Sequence, residues 1–253
     1  MARTGTGTWS VSALRWKLTR PPDVAVAVDW QLLVEPRGHS GAENMAIDES
    51  LLDEAGRTGT PFLRLYRWDP PCLSLGRNEP AIERPGVATV RRPTGGRAVW
   101  HEHEVTYAVA APIAAFGRLR DAYRAIHERL ATALRSLGAD VTLAADRPTP
   151  PLRDRPNACF AETVGGEVLV GGRKVIGSAQ VRRGTAFLQH GSILLDGSQE
   201  LGHATTLRQV LGRTVLFEEV TAAIVAAWGE PFAPSGRPAV SPSDADLAPQ
   251  RAL

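Results

Sequence analysis

Lysine is almost missing from this chain: of 29 basic residues only Lys17 and Lys174 are lysines, and the rest are arginines. Cysteine is equally scarce, with Cys72 and Cys159 the whole complement. Two cysteines cannot build a disulfide scaffold, and without a Cys-x-x-Cys pair they do not suggest a zinc ribbon. No apolar run approaches the roughly 20 residues of a membrane span. The first twenty residues carry scattered bases but no apolar centre, so they do not read as a secretory signal. Collagen-like and repeat patterns are missing too. The net charge of +2 comes without a long basic run, so nucleic acid is not an expected partner. These exclusions leave a globular, cytoplasmic protein, expected as a monomer. With 253 residues it is long enough to bury a core without disulfides or metals.

What is present falls into a clear order. Residues 1–25, rich in Gly and Thr, are expected to form a flexible extension on which Trp9 and Trp16 could dock. Residues 26–232 are expected to form one domain, and residues 233–253, rich in Pro, Ser and Asp, a disordered tail. Apolar residues at helical spacing predict helices over Asn44–Ala55 and Leu119–Leu137, the second stopped by Gly138, and a last one near Phe217–Trp228. Alternation predicts strands at Phe62–Arg67, Leu73–Leu75, Val87–Arg91 and Val105–Ala110, and a meander of Glu167–Val170, Lys174–Arg182 and Ala186–Leu195. Gly171-Gly172 and Arg183-Gly184 are the expected turns of that meander. The class is α+β, with helices over one face of a mostly antiparallel sheet. Asp146–Asn157 is a proline-dense loop, and loops of that length are commonly functional or disordered.

Three segments could carry chemistry. The run Arg91-Arg92-Pro93-Thr94-Gly95-Gly96-Arg97-Ala98-Val99 ends a strand with paired glycines. It is neither a Walker loop nor a dinucleotide fingerprint; it is a plain turn or a cup of backbone N–H groups for an oxyanion. In Lys174-Val175-Ile176-Gly177-Ser178-Ala179-Gln180, alternation puts Lys174, Ile176 and Ser178 on one strand face. Where any cation suffices this chain uses arginine, so Lys174 either serves as an ammonium that guanidinium cannot replace or guards a strand edge. Cys72 reads as a small buried apolar residue. Cys159 differs because it closes the proline-rich loop, and a cationic neighbour such as Lys174 or His190 could favour its thiolate. His101 and His103 could share a strand face, but no third metal ligand is in view.

Taken together these segments resemble the biotin/lipoate protein ligase and octanoyltransferase superfamily. Arg91–Val99 is similar to its Arg-Arg-x-(Ser/Thr)-Gly-Gly element, and Gly172–Gln180 to its Gly-x-Lys-(Ile/Val)-x-Gly-x-Ala-Gln strand. Leu188–Leu194 resembles its Leu-Gln-His-Gly-(Ser/Thr) strand, Asn44–Leu52 its first helix, and Tyr66–Trp68 with Ser74–Arg77 the following hairpin. The likeness runs from about Asn44 to Asp196. Arg97 stands where ATP-dependent lipoate–protein ligases usually have a third glycine. That substitution, with Cys159-Phe160 ahead of the lysine strand, looks most like the cysteine-dependent octanoyltransferases.

The resemblance implies a biotin/lipoate-ligase-like catalytic fold and a catalytic pair of Cys159 and Lys174. It implies substrate-binding positions at Arg92, Thr94, Gly95, Gly96, Arg97, Ala98, His101, Gly177, Ser178, Ala179, His190 and Gly191. The donor would be octanoyl-acyl carrier protein. The acceptors would be lipoyl-domain proteins such as the glycine cleavage H protein and dehydrogenase E2 subunits, with no metal or cofactor. Arg91, Arg92, Arg182 and Arg183 are candidates for attracting such acidic partners. The alternatives are an ATP-dependent lipoate–protein ligase, an amidotransferase moving lipoyl or octanoyl groups between carriers, and a catalytically idle binding subunit.

Overall fold

The computed structural model describes residues 29–82, 84–145, 166–197, 204–229 and 231–233. A five-stranded sheet runs in the order β1 (Gln31–His39), β2 (Phe62–Trp68), β6 (Glu104–Pro112), β11 (Ala186–Leu194) and β10 (Ile176–Arg183). Only the β1–β2 pairing in it is parallel. A second sheet orders β4 (Ala88–Arg91), β3 (Cys72–Leu75) and β5 (Val99–His101), and a third orders β7 (Val141–Leu143), β8 (Val168–Val170) and β9 (Arg173–Lys174). The helices are α1 (Gly41–Thr58), α2 (Leu119–Ser136), α3 (Leu207–Leu211) and α4 (Phe217–Ala227). This is the mixed α+β architecture expected.

Local chemistry sets the element ends. Ser40 and Glu43 form a reciprocal capping box at the start of α1, and Gly59 ends it with φ 77°; this satisfies amides and carbonyls that a bare helix end leaves unpaired. Side chains then alternate between the faces of the large sheet. From β6, Val105, Tyr107, Val109 and Ala111 join α2 and α4 in the larger core. Ala108 and Ala110 face the other way, against Leu51, Leu52 and Ala55 of α1. Helices therefore cover both faces, not one: α1 carries a buried stripe of its own that needs a partner layer as much as α2 does.

Other details also depart from the sequence reading. The strand expected over Lys174–Arg182 is two strands in different sheets, broken at Val175, so Lys174 does not share a face with Ile176 and Ser178. The hairpin turn is Gly184-Thr185, one residue later than expected. Strands β1, β5 and β7 and helix α3 were not expected. His101 ends β5 while His103 sits in the bend before β6, so the two histidines share no strand face. Cys72 is 1% exposed and burial pushes its thiol up to about 11, in keeping with its reading as an inert buried residue. The expected extension and tail, Trp9 and Trp16, and the proline-rich loop lie outside the described residues.

The two-sided core makes a direct prediction. Leu130, fully buried between α2 and the sheet, should cost about 2–5 kcal/mol when changed to Ala. Leu216, exposed at 56%, should cost within about 0.5 kcal/mol. Urea unfolding of Leu130→Ala and Leu216→Ala measures both.

Candidate functional site

The face of the large sheet that meets α1 changes character along its length. On β11 the residues on that face run Ala186, Leu188, His190, Ser192, paired with Pro112, Ala110, Ala108 and Thr106 of β6. The apolar end lies under α1, and the polar end is roofed by the small sheet of β3, β4 and β5. Between them is a cleft of about 350 Å³, open mouth included.

Two hydrogen-bond chains hold this polar end. In the first, Glu104 Oε1 accepts from His101 Nδ1 at 2.7 Å, Ser192 Oγ at 2.8 Å and Thr106 Oγ1. His101 Nε2 lies 2.7 Å from Ser74 Oγ, and the Trp68 ring stacks on the imidazole at 3.9 Å. Ser74 Oγ also accepts from Arg92 Nη1 at 3.1 Å. The guanidinium continues to the carbonyls of Gly95 at 2.9 Å and Arg97 at 2.6 Å. The connectivity is that of a serine–histidine–acid relay, yet Ser74 is 1% exposed and its oxygen is occupied by Arg92. Its role here is to brace the glycine loop. Gly96 has φ 93°, which favours glycine. A Cβ on Gly76 would stand 2.0 Å from the Gly96 carbonyl, so the hairpin and the loop touch backbone to backbone.

The second chain starts at Asp48 of α1, which is wholly buried. It accepts from Arg64 Nη1 at 2.8 Å, Tyr66 Oη at 2.9 Å and His190 Nδ1 at 2.8 Å. Burial would raise its pKa, but the His190 hydrogen bond and the Arg64 charge outweigh it and lower the carboxyl below its usual range. His190 Nε2 lies 2.7 Å from Thr94 Oγ1, so the glycine loop is pinned from α1 as well as from β6.

Of the expected binding residues, Arg92, His101, Gly177, Ser178, Ala179, His190 and Gly191 line the cleft. Thr94 stands behind His190. Gly95, Gly96, Arg97 and Ala98 belong to the braced loop and are not among the lining residues. Tyr66, Trp68, Ser74, Val99, Thr106 and Ser192 line the cleft too and were missed as site residues. A signal for them existed: hydroxyls and an imidazole recurring every second residue in otherwise apolar strands. Of the arginines expected to attract partners, Arg92 is buried while Arg91, Arg182 and Arg183 are exposed and make local contacts. Arg91 donates to the carbonyls of Gly76 and Glu79, Arg182 to Gly184, and Arg183 pairs with Asp53.

Lys174 is 3% exposed, its Nζ 2.7 Å from Glu167 Oε1. It does not line the cleft; its charge acts instead on His127 of α2. Lys174 Nζ therefore sits deeper than a strand-edge guard would. Cys159 lies outside the described residues. Among those described, no cluster of three or more metal-ligating side chains occurs, and no helix is long and apolar enough to cross a membrane.

Residues 40–229 match the family model of the lipoyl protein ligase A/B catalytic domain. The chain belongs to that family. Octanoyltransferase LipM of Carboxydothermus hydrogenoformans is 46% identical over 168 residues, covering 62% of this chain but only 61% of its own length. Octanoyltransferase LipM of Kyrpidia tusciae is 38% identical over 239 residues, covering 79% of this chain and 86% of its own. A crystal structure of lipoate-protein ligase A bound with ATP superposes with a TM-score of 0.64 at 21% identity, covering 79% of this chain and 84% of its own. That likeness establishes the catalytic-domain fold. The motif-based placement in the biotin/lipoate superfamily, on its acyltransferase side, agrees with these relatives' names.

Asp48 should be the least replaceable group of this family's polar network here. Asp48→Asn takes the buried anion from His190 and leaves Arg64 with Glu35 alone, and should cost about 3–5 kcal/mol in a denaturant titration. Because folding lowers the Asp48 pKa from 3.8, its contribution is intact above that pH and disappears as pH falls through the folded value. Stability measured against pH should lose that acid limb in the variant.

Proposed function

We propose that this chain transfers an octanoyl group from octanoyl-acyl carrier protein to a lysine of lipoyl-domain proteins, through a thioester on Cys159. The coarse part, octanoyl transfer in lipoate biosynthesis, rests on relatives named octanoyltransferase at 36–46% identity. The observation that carries the finer part is the burial of Lys174, the one internal lysine in a chain otherwise supplied with arginine, against Glu167.

In this reading the Cys159 thiolate attacks the donor carbonyl, the carbon–sulfur bond to the carrier breaks, and the carrier leaves as thiolate, taking its proton from solvent. Thioester exchange is nearly isoenergetic, so ATP is not consumed. Lys174 steadies the developing oxyanion charge with backbone N–H groups near Gly95-Gly96. The acceptor amine then attacks the acyl-enzyme, an amide forms, and the departing cysteine sulfur takes the amine's proton. Glu167 fixes where the ammonium sits. Tyr66, Trp68 and Val99 give the cleft apolar walls. Burying roughly seven apolar carbons at about 0.8 kcal/mol each supplies enough energy to sort acyl chains by length. H protein and E2 lipoyl domains are the proposed acceptors, and the cytoplasm the proposed compartment.

The test is mass spectrometry after mixing the protein with octanoyl-acyl carrier protein. A gain of one octanoyl group is expected, absent in Cys159→Ala and weak in Lys174→Arg. Octanoyl-adenylate formed from free octanoate and ATP, with Cys159→Ala fully active, would overturn this reading in favour of a ligase.

A further inference from the structure

Beneath the cleft wall lies a buried polar chain that the proposed mechanism does not use. His127 of α2 is wholly buried. Its Nδ1 is 2.8 Å from the Gly166 carbonyl, its Nε2 2.8 Å from Ser178 Oγ and 3.3 Å from Tyr107 Oη. Tyr107 Oη is 2.7 Å from Ser178 Oγ and accepts from Gln189 Nε2 at 2.9 Å. Gln180 Nε2 in turn donates to Gln189 Oε1 at 2.7 Å.

These contacts leave one consistent set of protons. A carbonyl only accepts, so His127 Nδ1 carries hydrogen. Neutral imidazole then has a lone pair at Nε2, and Ser178 must donate to it, since two lone pairs at 2.8 Å would repel. Ser178 Oγ accordingly accepts from Tyr107, whose oxygen accepts from Gln189. An imidazolium would need Nε2 to donate to Ser178, the serine would then donate to Tyr107 Oη, and the proton of the buried tyrosine would lose its acceptor. Burial pushes the His127 pKa down to about 4 against the Gly166 hydrogen bond, and the nearby Lys174 charge pushes the same way. Tyr107, raised by burial, stays neutral. Glu167 and Lys174 are the other charged groups felt by this chain.

The carbonyl that His127 grips belongs to a junction. Gly166 N donates to Ala144 O and Ala144 N to Glu167 O, both at 2.8 Å. The next side chain along is the Glu167 carboxylate that pairs with Lys174. We propose that His127 is a positioning residue for acyl transfer: as neutral imidazole it locks the Gly166 carbonyl, and with it the carboxylate that sets the Lys174 ammonium. This rests on the reading of Lys174 as a catalytic group.

Two substitutions separate this role from plain core filling. Asparagine carries an N–H where imidazole has Nδ1, so His127→Asn keeps the grip on Gly166. Glutamine reaches the Nε2 position and fills more volume, but gives that grip up. His127→Gln should lower kcat for octanoyl transfer to a lipoyl domain by about tenfold with donor KM little changed, and His127→Asn should restore most of it. Glutamine equal to or better than asparagine would overturn the proposal. On the unaltered protein, NMR should show His127 as the neutral Nδ1–H tautomer down to about pH 5; an imidazolium at about pH 6 would also overturn it. The NMR readout is independent of turnover, so its failure is distinct from failure of the transferase reading, which would show as no octanoyl gain by the unaltered protein.

Discussion

A single buried carboxylate organises this molecule. Asp48 comes from α1, and its three donors come from β2 and β11, so one anion sets how the helix sits on the sheet. An uncompensated carboxylate in such a place would be untenable. The Arg64 guanidinium compensates it, and a second carboxylate, Glu35 of β1, holds that guanidinium from the other side at 2.7 Å. The parallel strand β1 is thereby tied to the same charge balance as the cleft. His190 carries the constraint onward to Thr94 and the glycine loop.

The cleft follows from this arrangement combined with plain strand alternation. The residues that brace it, Glu104, Thr106, His190 and Ser192, occupy the continuation of the face that buries Ala108, Ala110 and Leu188. Where α1 ends its cover, polar side chains replace apolar ones, and the small sheet supplies partners for them. Both imidazoles at the cleft have each nitrogen engaged. The walls are therefore rigid, which suits a site whose work is orientation.

Much of this was legible in the sequence because it rests on local pattern. The stripes of α1, α2 and α4 and the alternation of β2, β6 and β11 are period signals, whereas the lysine motif, expected as one strand, is divided between two sheets. The missed elements have no such signal. β5 is three residues long, and β7 and β9 are shorter than any window in which alternation can be counted. β1 has no fully buried residue and a register shift between Glu35 and Gly38, so its apolar pattern is weak. The buried partners of the site, Asp48 with Arg64 and Glu167 with Lys174, join a helix to a strand and a loop to a strand. Nothing in a one-dimensional pattern pairs them. Arg92 shows the same limit: it is the buried one of the four candidate arginines, and its guanidinium goes to backbone carbonyls that no sequence pattern points to.

Cys72 has a practical meaning beyond its packing. Its sulfur lies close to where a Gly41 Cβ would be, sealed at the start of α1 and as a thiol with a pKa of about 11. At neutral pH it is chemically silent. A thiol reagent applied to the folded protein at neutral pH thus passes Cys72 by, and that cysteine need not be removed before any labelling experiment.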